Sequence, residues 1–544
     1  MSSNYLTVSS LMPISYVADI LETSHFSLSH NFQTYSMRII IKLFGKLLAP
    51  SSRRFQKALL TPQAAQQKVQ ASIIQHLTQS EYGKSLGIKS VADWQQIPII
   101  EYNELESWIH KQQQSKNPLL TPERVIFYEK TSGSRSAAKL IPYTKSLRSS
   151  FNQMFCVWAH DLIAHGPKFS TGKIYFCISP QFGSDIDVVG LQDDSEYLDR
   201  WLRWFLSPFL VSPGGNRLRN AEEFKNRLSQ ALLIAENLEI ISIWSPSFLR
   251  IILDYIQTHQ QQLSAELSNR ISSSRSQLLL QPEIPWTLLW SKLKLISCWD
   301  SANAADSANL LKSLFPNVLI QGKGLLATEA PMTIPLIAAQ GCVPVLDEVF
   351  FEFEDEAGKI FYLHEIQIGG VYEIILSQKG GLYRYRIGDR IRVSHFYLGT
   401  PCLEFIGRKA MISDLVGEKL HSEFVRDAVA SLNLKKTFFK SLVPVNSPPE
   451  HYVLLLDRIE TEVAIAQRLD DALQQSPHYR QARLLSQLQP VRLLVSPQIP
   501  ELVTMYKMQS GKWGDLKHEI LTTTPIAEEL LAKLEQVSAI NKLR

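Results

Sequence analysis

The sequence predicts an α/β protein with a large N-terminal domain, which contains covered β-sheets and a barrel-like β subregion, and a small C-terminal α+β lid domain. One observation is length, because 544 residues exceed what a single hydrophobic core usually supports and 45% of them are apolar. A second is the alternation of short apolar runs with helical patterns, which is typical of partly parallel sheets covered by helices. A third is the change after Pro331 to apolar runs separated by turns rich in glycine or aspartate.

Three segments follow from these patterns. Residues 1–36 lack strong periodicity and are rich in Ser, Thr and Asn, so we expect a loose N-terminal extension that is not a signal peptide. Residues 37–407 form the expected large domain, and residues 408–544 form the expected small domain. The run 37–48 is apolar with interspersed cations and is shorter than the ~20 residues that cross a bilayer. It predicts a packed amphipathic helix, with contact to a membrane surface as the alternative.

The secondary structure is predicted from hydrophobic spacing. Helical spacing predicts one helix between residues 62 and 87 and another over 103–114. Strand-helix-strand order occurs twice, with strands at 173–180, 239–244, 293–299 and 317–321 and helices at 221–237 and 304–314. Further strands are expected at 348–354, 369–377 and 381–393, and the small domain is expected to have helices at 418–432, 460–473 and 526–534 with strands at 452–456 and 491–495.

Composition excludes several classes of function. The 56 basic and 52 acidic residues are too evenly balanced for the electrostatic footprint of a nucleic-acid-binding protein. Five cysteines occur singly and without C-x-x-C spacing, which supports neither a zinc site nor a disulfide framework. We therefore expect free thiols in a cytoplasmic, monomeric protein that is not stably inserted in a membrane.

The segment Gly381–Asp389, with sequence GLYRYRIGD, carries the most information. It predicts a strand that ends in a tight Gly-Asp turn, leaving one carboxylate beside two arginines. A carboxylate in this position can accept hydrogen bonds from both hydroxyls of a ribose. The equally weighted alternative is a structural ion pair between Asp389 and Arg386 or Arg390.

An upstream loop carries residue types that suit a nucleotide. Thr131, Ser132, Gly133 and Ser134 offer hydroxyl donors and an unobstructed backbone for a triphosphate, and Lys139 adds a point charge. The spacing is not that of a Walker A loop, and an ordinary surface turn is an equally good interpretation.

The dipeptide Thr328-Glu329 follows an apolar strand and a glycine turn. Its hydroxyl could contact an α-phosphate and its carboxylate could hold Mg²⁺. Alone, the dipeptide is more typical of a helix N-terminus. Arg408, directly after Gly407, is a candidate for ribose or phosphate oxygens, with an exposed linker arginine as the alternative.

Near the C-terminus, a glycine-punctuated turn contains Lys512 and Lys517. A loop of this kind could bring a lysine to the phosphate as negative charge moves to a leaving pyrophosphate. A solvated hairpin is the alternative interpretation.

These motifs resemble those of the acyl acid-amido synthetases of the auxin-responsive Gretchen Hagen family, which are adenylate-forming enzymes related to acyl-CoA synthetases. The resemblance extends from about residue 60 to the end. Residues 131–142 are similar to the family's phosphate loop, and Gly381–Asp389 to its G-L-Y-R-Y-R-x-G-D motif. Residues 405–408 and 417–420 are similar to the segment that joins the two domains.

The resemblance implies a two-step reaction with ATP and Mg²⁺. A carboxylic acid is adenylated with release of pyrophosphate, and an amine, usually of an amino acid, then displaces AMP. Thr131, Ser132, Gly133, Ser134 and Lys139 would bind phosphates, Asp389 and Arg408 ribose, and Thr328 and Glu329 phosphate and metal. Lys517 would be the catalytic cation, with Lys512 as a rival.

Two alternatives remain open from the sequence. One is a ligase that forms a thioester with coenzyme A. The other is a nucleotide-binding protein without catalysis, because Leu325 and Ala410 depart from the family pattern. The pocket for the acid is expected within residues 150–330, where Trp158, Phe182, Trp244 and Trp299 are candidates and equally good core residues.

Overall fold

A computed structural model describes residues 30–115, 117, 119–130, 139–176, 200–213, 221–408, 412–434, 436–459, 464–508 and 518–538. Of the expected N-terminal extension, residues 1–29 lie outside this description, and a helix begins at His30. No helix in the described part of the chain is long and apolar enough to cross a membrane.

Helices dominate the first part of the chain. They are α1 (His30–Leu60), α2 (Pro62–Leu77), α3 (Glu81–Ser85) and α4 (Tyr102–Gln114). The prediction of one helix over 62–87 is wrong in extent, because Ser80 caps a separate helix by accepting a hydrogen bond from the Gly83 amide at 3.0 Å. The apolar residues at helical spacing in α2 are buried, as the periodicity predicts.

A short antiparallel hairpin follows, formed by β1 (Phe127–Lys130) and β2 (Leu140–Tyr143). The two strands flank the predicted phosphate loop at 131–138, which lies outside the described residues. Helix α5 (Lys145–His165) follows. Thr144 is its N-cap residue, and the Thr144 hydroxyl accepts a hydrogen bond from the Leu147 amide. This helix packs along α1.

The predicted parallel sheet is confirmed. Its strands β3 (Lys173–Phe176), β4 (Leu238–Ser242), β5 (Leu295–Cys298) and β6 (Leu319–Gly322) pair in chain order and all run parallel. The helices between them are α6 (Arg200–Leu206), α7 (Ala221–Ile234), α8 (Pro246–Thr258), α9 (Gln260–Glu266), α10 (Ser273–Leu279), α11 (Trp286–Leu289) and α12 (Ala305–Leu314). All of these helices except α6 bury one of the protein's hydrophobic cores against this sheet, whereas Leu202 of α6 lies in a different core.

Antiparallel strands follow Pro331 as expected. The hairpin of β7 (Leu326–Ala327) with β8 (Ala330–Pro331) ends at this residue, and the hairpin of β9 (Thr333–Leu336) with β10 (Gly341–Pro344) follows it. The predicted barrel-like subregion is a five-stranded antiparallel sheet of β11 (Phe350–Glu354), β12 (Ile360–Tyr362), β13 (Val371–Gln378), β14 (Leu382–Tyr397) and β15 (Thr400–Arg408). The strand order is β12-β11-β13-β14-β15, and a second core joins this sheet to α1, α2, α4 and α5.

The expected Gly-Asp turn is wrong, because Gly388 and Asp389 lie inside the sixteen-residue strand β14. A shift of register leaves residues 387–389 opposite the single residue Ile374 of β13. Gly388 has a φ of +85°, which glycine adopts without the steric cost that a side chain brings. The chain therefore forms a β-bulge, a device that re-aims side chains beside functional sites.

The small domain is built on a three-stranded sheet that is buried on both faces. Its elements are β16 (Ile412–Ser413), β17 (Leu420–His421), α13 (Ser422–Ala430), β18 (Lys440–Val445), β19 (His451–Leu456), α14 (Ile465–Leu473), α15 (Pro477–Leu484), β20 (Arg492–Val495), α16 (Ile499–Met508) and α17 (Glu528–Val537). Alternate residues of β19 enter two different cores, which explains its uninterrupted apolar sequence. Strand β18 and helices α15 and α16 were not expected from the sequence.

A buried ion pair anchors the start of β14. Arg384 donates from Nε and Nη2 to the two carboxylate oxygens of Glu352 on β11, each at 2.9 Å, and from Nη1 to the Ile97 carbonyl at 2.8 Å. Both side chains are almost completely buried. Because Arg384 also has a φ of +47°, a conformation costly for a residue with a side chain, the pair holds a strained backbone in place.

We predict that Arg384→Met lowers the free energy of unfolding by about 3–5 kcal/mol, because it leaves the Glu352 carboxylate buried without a cation. The double variant Arg384→Met/Glu352→Met should recover part of this loss. Urea denaturation followed by tryptophan fluorescence measures both. Arg392→Met, on the exposed part of the same strand, is the control and should change stability by less than about 0.5 kcal/mol. If Arg384→Met and the control Arg392→Met lowered the free energy of unfolding equally, the stabilising role of the ion pair would be contradicted.

Candidate functional site

The carboxylate of the GLYRYRIGD segment is paired across the sheet. Asp389 on β14 lies opposite Arg408, the last residue of β15. The Arg408 Nε donates to Asp389 Oδ1 at 2.6 Å. The carboxylate is buried, whereas about half of the arginine side chain is exposed. The negative charge of Asp389 is the largest of the influences that raise the pKa of Arg408.

The predicted alternative partners of Asp389 bind other carboxylates. Arg386 donates from Nη2 to both oxygens of Glu354, at 2.7 and 2.8 Å. Arg390 pairs with Glu356 and with Glu423 of the small domain. Asp389 is therefore bound to Arg408, which was predicted as a site residue from a different segment, and not to the arginines beside it in sequence.

Thr328 and Glu329 occupy the two-residue turn between β7 and β8, so they do not begin a helix. Tyr143 on β2 fixes this turn because its hydroxyl donates to the Thr328 carbonyl at 2.8 Å. Glu329 is buried. Burial raises the pKa of its carboxyl group, and the nearby negative charge of Asp389 raises it further.

Four predicted site residues meet around this turn. The positive charges of Arg408 and Lys139 oppose the rise in the Glu329 pKa, which places both cations within electrostatic range of the buried carboxyl group. With Asp389, they form a cluster of two acids and two bases from four separate segments of the chain. Such a group of coupled, partly buried charges is a frequent property of ligand sites.

Two tyrosines that sequence reasoning did not single out complete the cluster. The Lys139 ammonium donates to the Tyr385 hydroxyl at 3.4 Å and lies 5.4 Å from the ring centroid of Tyr102. Burial is the main cause of the raised pKa of both phenols, which therefore stay protonated. Tyr385 belongs to the GLYRYRIGD segment, where it lies between Arg384 and Arg386. Its position inside this motif is the sequence feature that could have identified it as a site residue.

Some predicted residues lie outside the described part of the chain. These are Thr131, Ser132, Gly133, Ser134, Lys512 and Lys517, together with Ala410 and Phe182. Leu325 is described and is buried in the main core, where its amide donates to the Thr333 hydroxyl at 2.7 Å. Its side chain is accordingly a packing residue at the base of the β7–β8 hairpin.

A second group of candidate residues lies at the carboxyl edge of the parallel sheet, where ligands bind in such folds. Trp244 and Trp299 follow β4 and β5, and their ring centroids are 5.9 Å apart. Lys323, directly after β6, lies 5.0 Å from the Trp244 ring and donates to the Ser242 hydroxyl at 2.8 Å. Trp158 instead is buried and donates to Gln321 at 2.9 Å.

A cleft of about 1020 Å³ separates α7, α8 and α12 from the small domain. Ion pairs bridge it: Lys225 to Glu501 on one side and Lys440 to Asp306, at 2.6 Å, on the other. The ring of Phe438 lies between the guanidinium groups of Arg250 and Arg458, at 5.3 and 5.0 Å. Ion pairs and cation–π contacts therefore join the two domains across this cleft.

Comparison of the sequence with known protein families gives three consecutive matches. The GH3 family N-terminal domain matches residues 51–320, its central domain residues 342–408 and its C-terminal domain residues 421–526. The chain belongs to the GH3 family. Asp389 and Arg408 fall in the central domain, and the expected boundary at residue 407 lies at its end.

Several known plant proteins with similar sequences are named as amido synthetases. A probable indole-3-acetic acid-amido synthetase of rice, GH3.7, is 32% identical over 118 residues, which cover 20% of this chain and 19% of that relative. The indole-3-acetic acid-amido synthetase GH3.4 of Arabidopsis thaliana is 19% identical over 474 residues, or 76% of this chain and 79% of the relative. The local match to the rice protein thus spans about a fifth of its length.

The fold is similar to that of a solved member of the family. The AtGH3.15 acyl acid amido synthetase in complex with 2,4-DB superposes with a TM-score of 0.74. The alignment covers 90% of this chain and 96% of the other at 20% sequence identity. The predicted fold class is confirmed by this likeness.

We predict that Glu329→Gln stabilises the protein at neutral and alkaline pH. The folded state raises the Glu329 pKa above the value of 4.5 that applies to the unfolded chain. The protonated carboxyl group therefore contributes fully to the stability of the fold below pH 4.5. This contribution is lost as the pH rises through the pKa of the folded state. Thermal unfolding across this range should show a falling midpoint for the wild-type protein and a smaller fall for the variant. The exposed Glu283→Gln is the control, and an unchanged profile in Glu329→Gln would contradict the burial of an ionisable group there.

Proposed function

We propose that this protein is an ATP-dependent ligase that adenylates a carboxylic acid and transfers the acyl group to the amine of an amino acid, releasing AMP and pyrophosphate. The observation that carries the proposal is the meeting of Lys139, Glu329, Asp389 and Arg408 at one place. Membership of the GH3 family supports it, as do the relatives that are named amido synthetases. The two cations are suited to a polyphosphate, whose negative charge they balance, and the buried acid is suited to a metal ion bound to that polyphosphate.

In this proposal Asp389 and Arg408 bind the ribose. Asp389 uses one carboxylate oxygen for Arg408, so its other lone pairs are available to the hydroxyls of a ribose. Arg408 is held by that bond while half of its side chain is exposed, which suits contact with ribose or phosphate oxygens. The bulge at Gly388 supports this role because it changes the direction of Asp389 relative to a regular strand.

Lys139 is proposed to bind phosphate together with Thr131, Ser132, Gly133 and Ser134. Its contacts with Tyr385 and Tyr102 are with neutral groups, so the charge of the ammonium is not cancelled by them. The four loop residues keep the roles that their sequence predicts, which are hydroxyl and backbone amide donors to the phosphate chain.

Glu329 is proposed to hold Mg²⁺, with Thr328 at the α-phosphate. In the described part of the chain, no group of three or more His, Cys, Asp or Glu side chains could hold a metal ion by itself. A single carboxylate fits Mg²⁺ that takes its other ligands from phosphates and water. The raised pKa of Glu329 also fits, since a nearby divalent cation would favour its ionised form. When bound, the ion would neutralise phosphate charge.

We propose that these contacts serve the two-step reaction that the family resemblance implies. An oxygen of the acid forms a bond to the α-phosphorus while the bond to the bridging oxygen breaks, and pyrophosphate leaves with that electron pair. The amine then bonds to the acyl carbon, loses a proton, and AMP leaves. Arg408 and Lys139 hold the phosphates in place for the first step, and Lys517 is proposed as the cation that approaches the α-phosphate.

The acid is proposed to bind at the carboxyl edge of the parallel sheet, beside Trp244 and Trp299. Aromatic walls with a nearby cation, Lys323, suit an apolar carboxylic acid. We further propose that the protein acts in the cytoplasm, a reducing compartment that suits the four free thiols in the described residues.

We predict that Asp389→Asn lowers kcat/KM for ATP by about 10- to 100-fold, the loss expected for a hydrogen bond to a charged group. The assay is exchange of labelled pyrophosphate into ATP driven by a library of carboxylic acids. Arg392→Gln, an exposed position on the same strand, is the control. Wild-type exchange in Asp389→Asn, with the fold intact, would show that this carboxylate does not bind the nucleotide.

A second prediction separates the two candidate lysines. Lys517→Ala should lower the rate of exchange by about 10²- to 10³-fold, as for loss of a group that stabilises transition-state charge, while Lys512→Ala should leave it within a few-fold of wild type. The reverse result would assign the role to Lys512. If neither variant loses activity, the proposed catalytic lysine is wrong.

The acceptor is tested in the full reaction. With the best acid from the exchange assay, amino acids and coenzyme A are offered in turn and the products are identified by mass spectrometry. An amide product supports the proposal, a thioester product identifies the ligase alternative, and absence of exchange with every acid supports a nucleotide-binding protein without catalysis.

A further inference from the structure

We propose that helix α1 and its neighbour α6 form a peripheral docking surface for anionic lipid bilayers. One face of α1 is anchored to the fold, where Phe44 and Leu48 are buried and Phe44 stacks on Phe205 of α6 at 4.4 Å. The same helix packs along α5. The surface is therefore a fixed part of the large domain.

The outer face of α1 is apolar where a helix of a water-exposed surface is usually polar. Ile39, Leu43 and Leu47 recur every four residues and are 43%, 58% and 58% exposed. They share one side of the helix because residues four apart lie above one another. An exposed stripe of this kind marks an interaction surface when it is continuous.

Cations line the same exposed side. Arg38, Lys42 and Lys46 also recur every four residues, directly before each apolar residue of the stripe, and all three are exposed. The helix sequence from His30 to Leu60 contains six lysines and arginines and no acidic residue. No ion pair joins these three cations to a carboxylate in the described part of the chain, whereas Arg54 pairs with Asp347 and Glu348.

The adjoining helix α6 carries exposed aromatic side chains. Trp201 and Trp204 are 43% and 57% exposed, although large aromatic residues are usually buried. Tryptophan prefers the boundary between water and lipid, because its ring is apolar and its N–H remains hydrogen-bonded. Its presence favours a lipid boundary over a purely polar partner.

Apolar residues beside a row of cations are the pattern of helices that lie in the membrane interface. The positive charge complements an anionic surface, and the apolar stripe can enter the region between headgroups and acyl chains. The same stripe could instead meet a second copy of this chain, but facing rows of Arg38, Lys42 and Lys46 would then repel one another across the interface. The charge therefore favours the anionic bilayer.

The test is sedimentation of the full-length protein with vesicles of phosphatidylcholine mixed with phosphatidylglycerol, and with vesicles of phosphatidylcholine alone. We expect binding to the mixed vesicles that weakens as salt is added, because exposed charges are screened. Lys42→Ser/Lys46→Ser should bind roughly 30-fold more weakly, as expected for loss of two cations near an anionic surface. Leu43→Ser/Leu47→Ser should also lose binding, and the Trp emission of the wild-type protein should shift to shorter wavelength on the vesicles.

Matched controls come from the rest of the surface. Leu484→Ser/Leu485→Ser removes two leucines that are 77% and 59% exposed, and Lys84→Ser/Lys292→Ser removes two exposed cations. Both control proteins should bind as wild type does. Circular dichroism checks that every variant is folded, which exposed substitutions should preserve.

Three results would overturn the proposal. They are absence of binding to the mixed vesicles, equal loss of binding in the control variants, and a wild-type dimer that Leu43→Ser/Leu47→Ser dissociates without any vesicle binding. The last result would assign the stripe to contact between copies. None of these outcomes bears on ligase activity, which the exchange assay measures separately.

Discussion

The ion pair between Arg384 and Glu352 sets the position of strand β14, on which the candidate site depends. It links the start of β14 to β11 and, through the Ile97 carbonyl, to the N-terminal helical region. A charged pair in a low-dielectric interior tolerates little displacement, because each group loses its partner at a high desolvation cost. The register of β14 is thereby fixed over Tyr385 and Asp389, and a slip of one residue would turn both to the wrong face.

The cluster built on that register combines a buried acid with cations that only partly offset its burial. Glu329 has a raised pKa although Lys139 and Arg408 are close enough to oppose the rise. A structure selected for stability alone would place a neutral residue in that turn. Retaining a carboxyl group there is physically reasonable if it is completed by a ligand that carries its own positive charge, which is the role proposed for Mg²⁺.

The two domains are joined by polar contacts across their cleft. Their cleft is bridged by ion pairs such as Lys440 to Asp306, and by Phe438 between two guanidinium groups. Polar interfaces of this type separate at lower cost than large apolar ones. A change in the position of the small domain would therefore break ion pairs whose charged groups water can solvate.

The sequence by itself determined the parallel strands, the antiparallel region after Pro331 and the identity of Glu329, Asp389 and Arg408 as a related set. These features follow from local hydrophobic spacing and from motifs, which are both properties of short segments. It misplaced Asp389 in a turn, because a Gly-Asp pair forms a turn or a bulge with equal ease. It also offered only Arg386 and Arg390 as ion-pair partners of Asp389, neither of which binds it. Only the tertiary structure decided that Arg408 binds Asp389, through the pairing of β14 with β15, and that Lys139 meets Tyr385, through the packing of separate segments, since both contacts join residues distant in sequence.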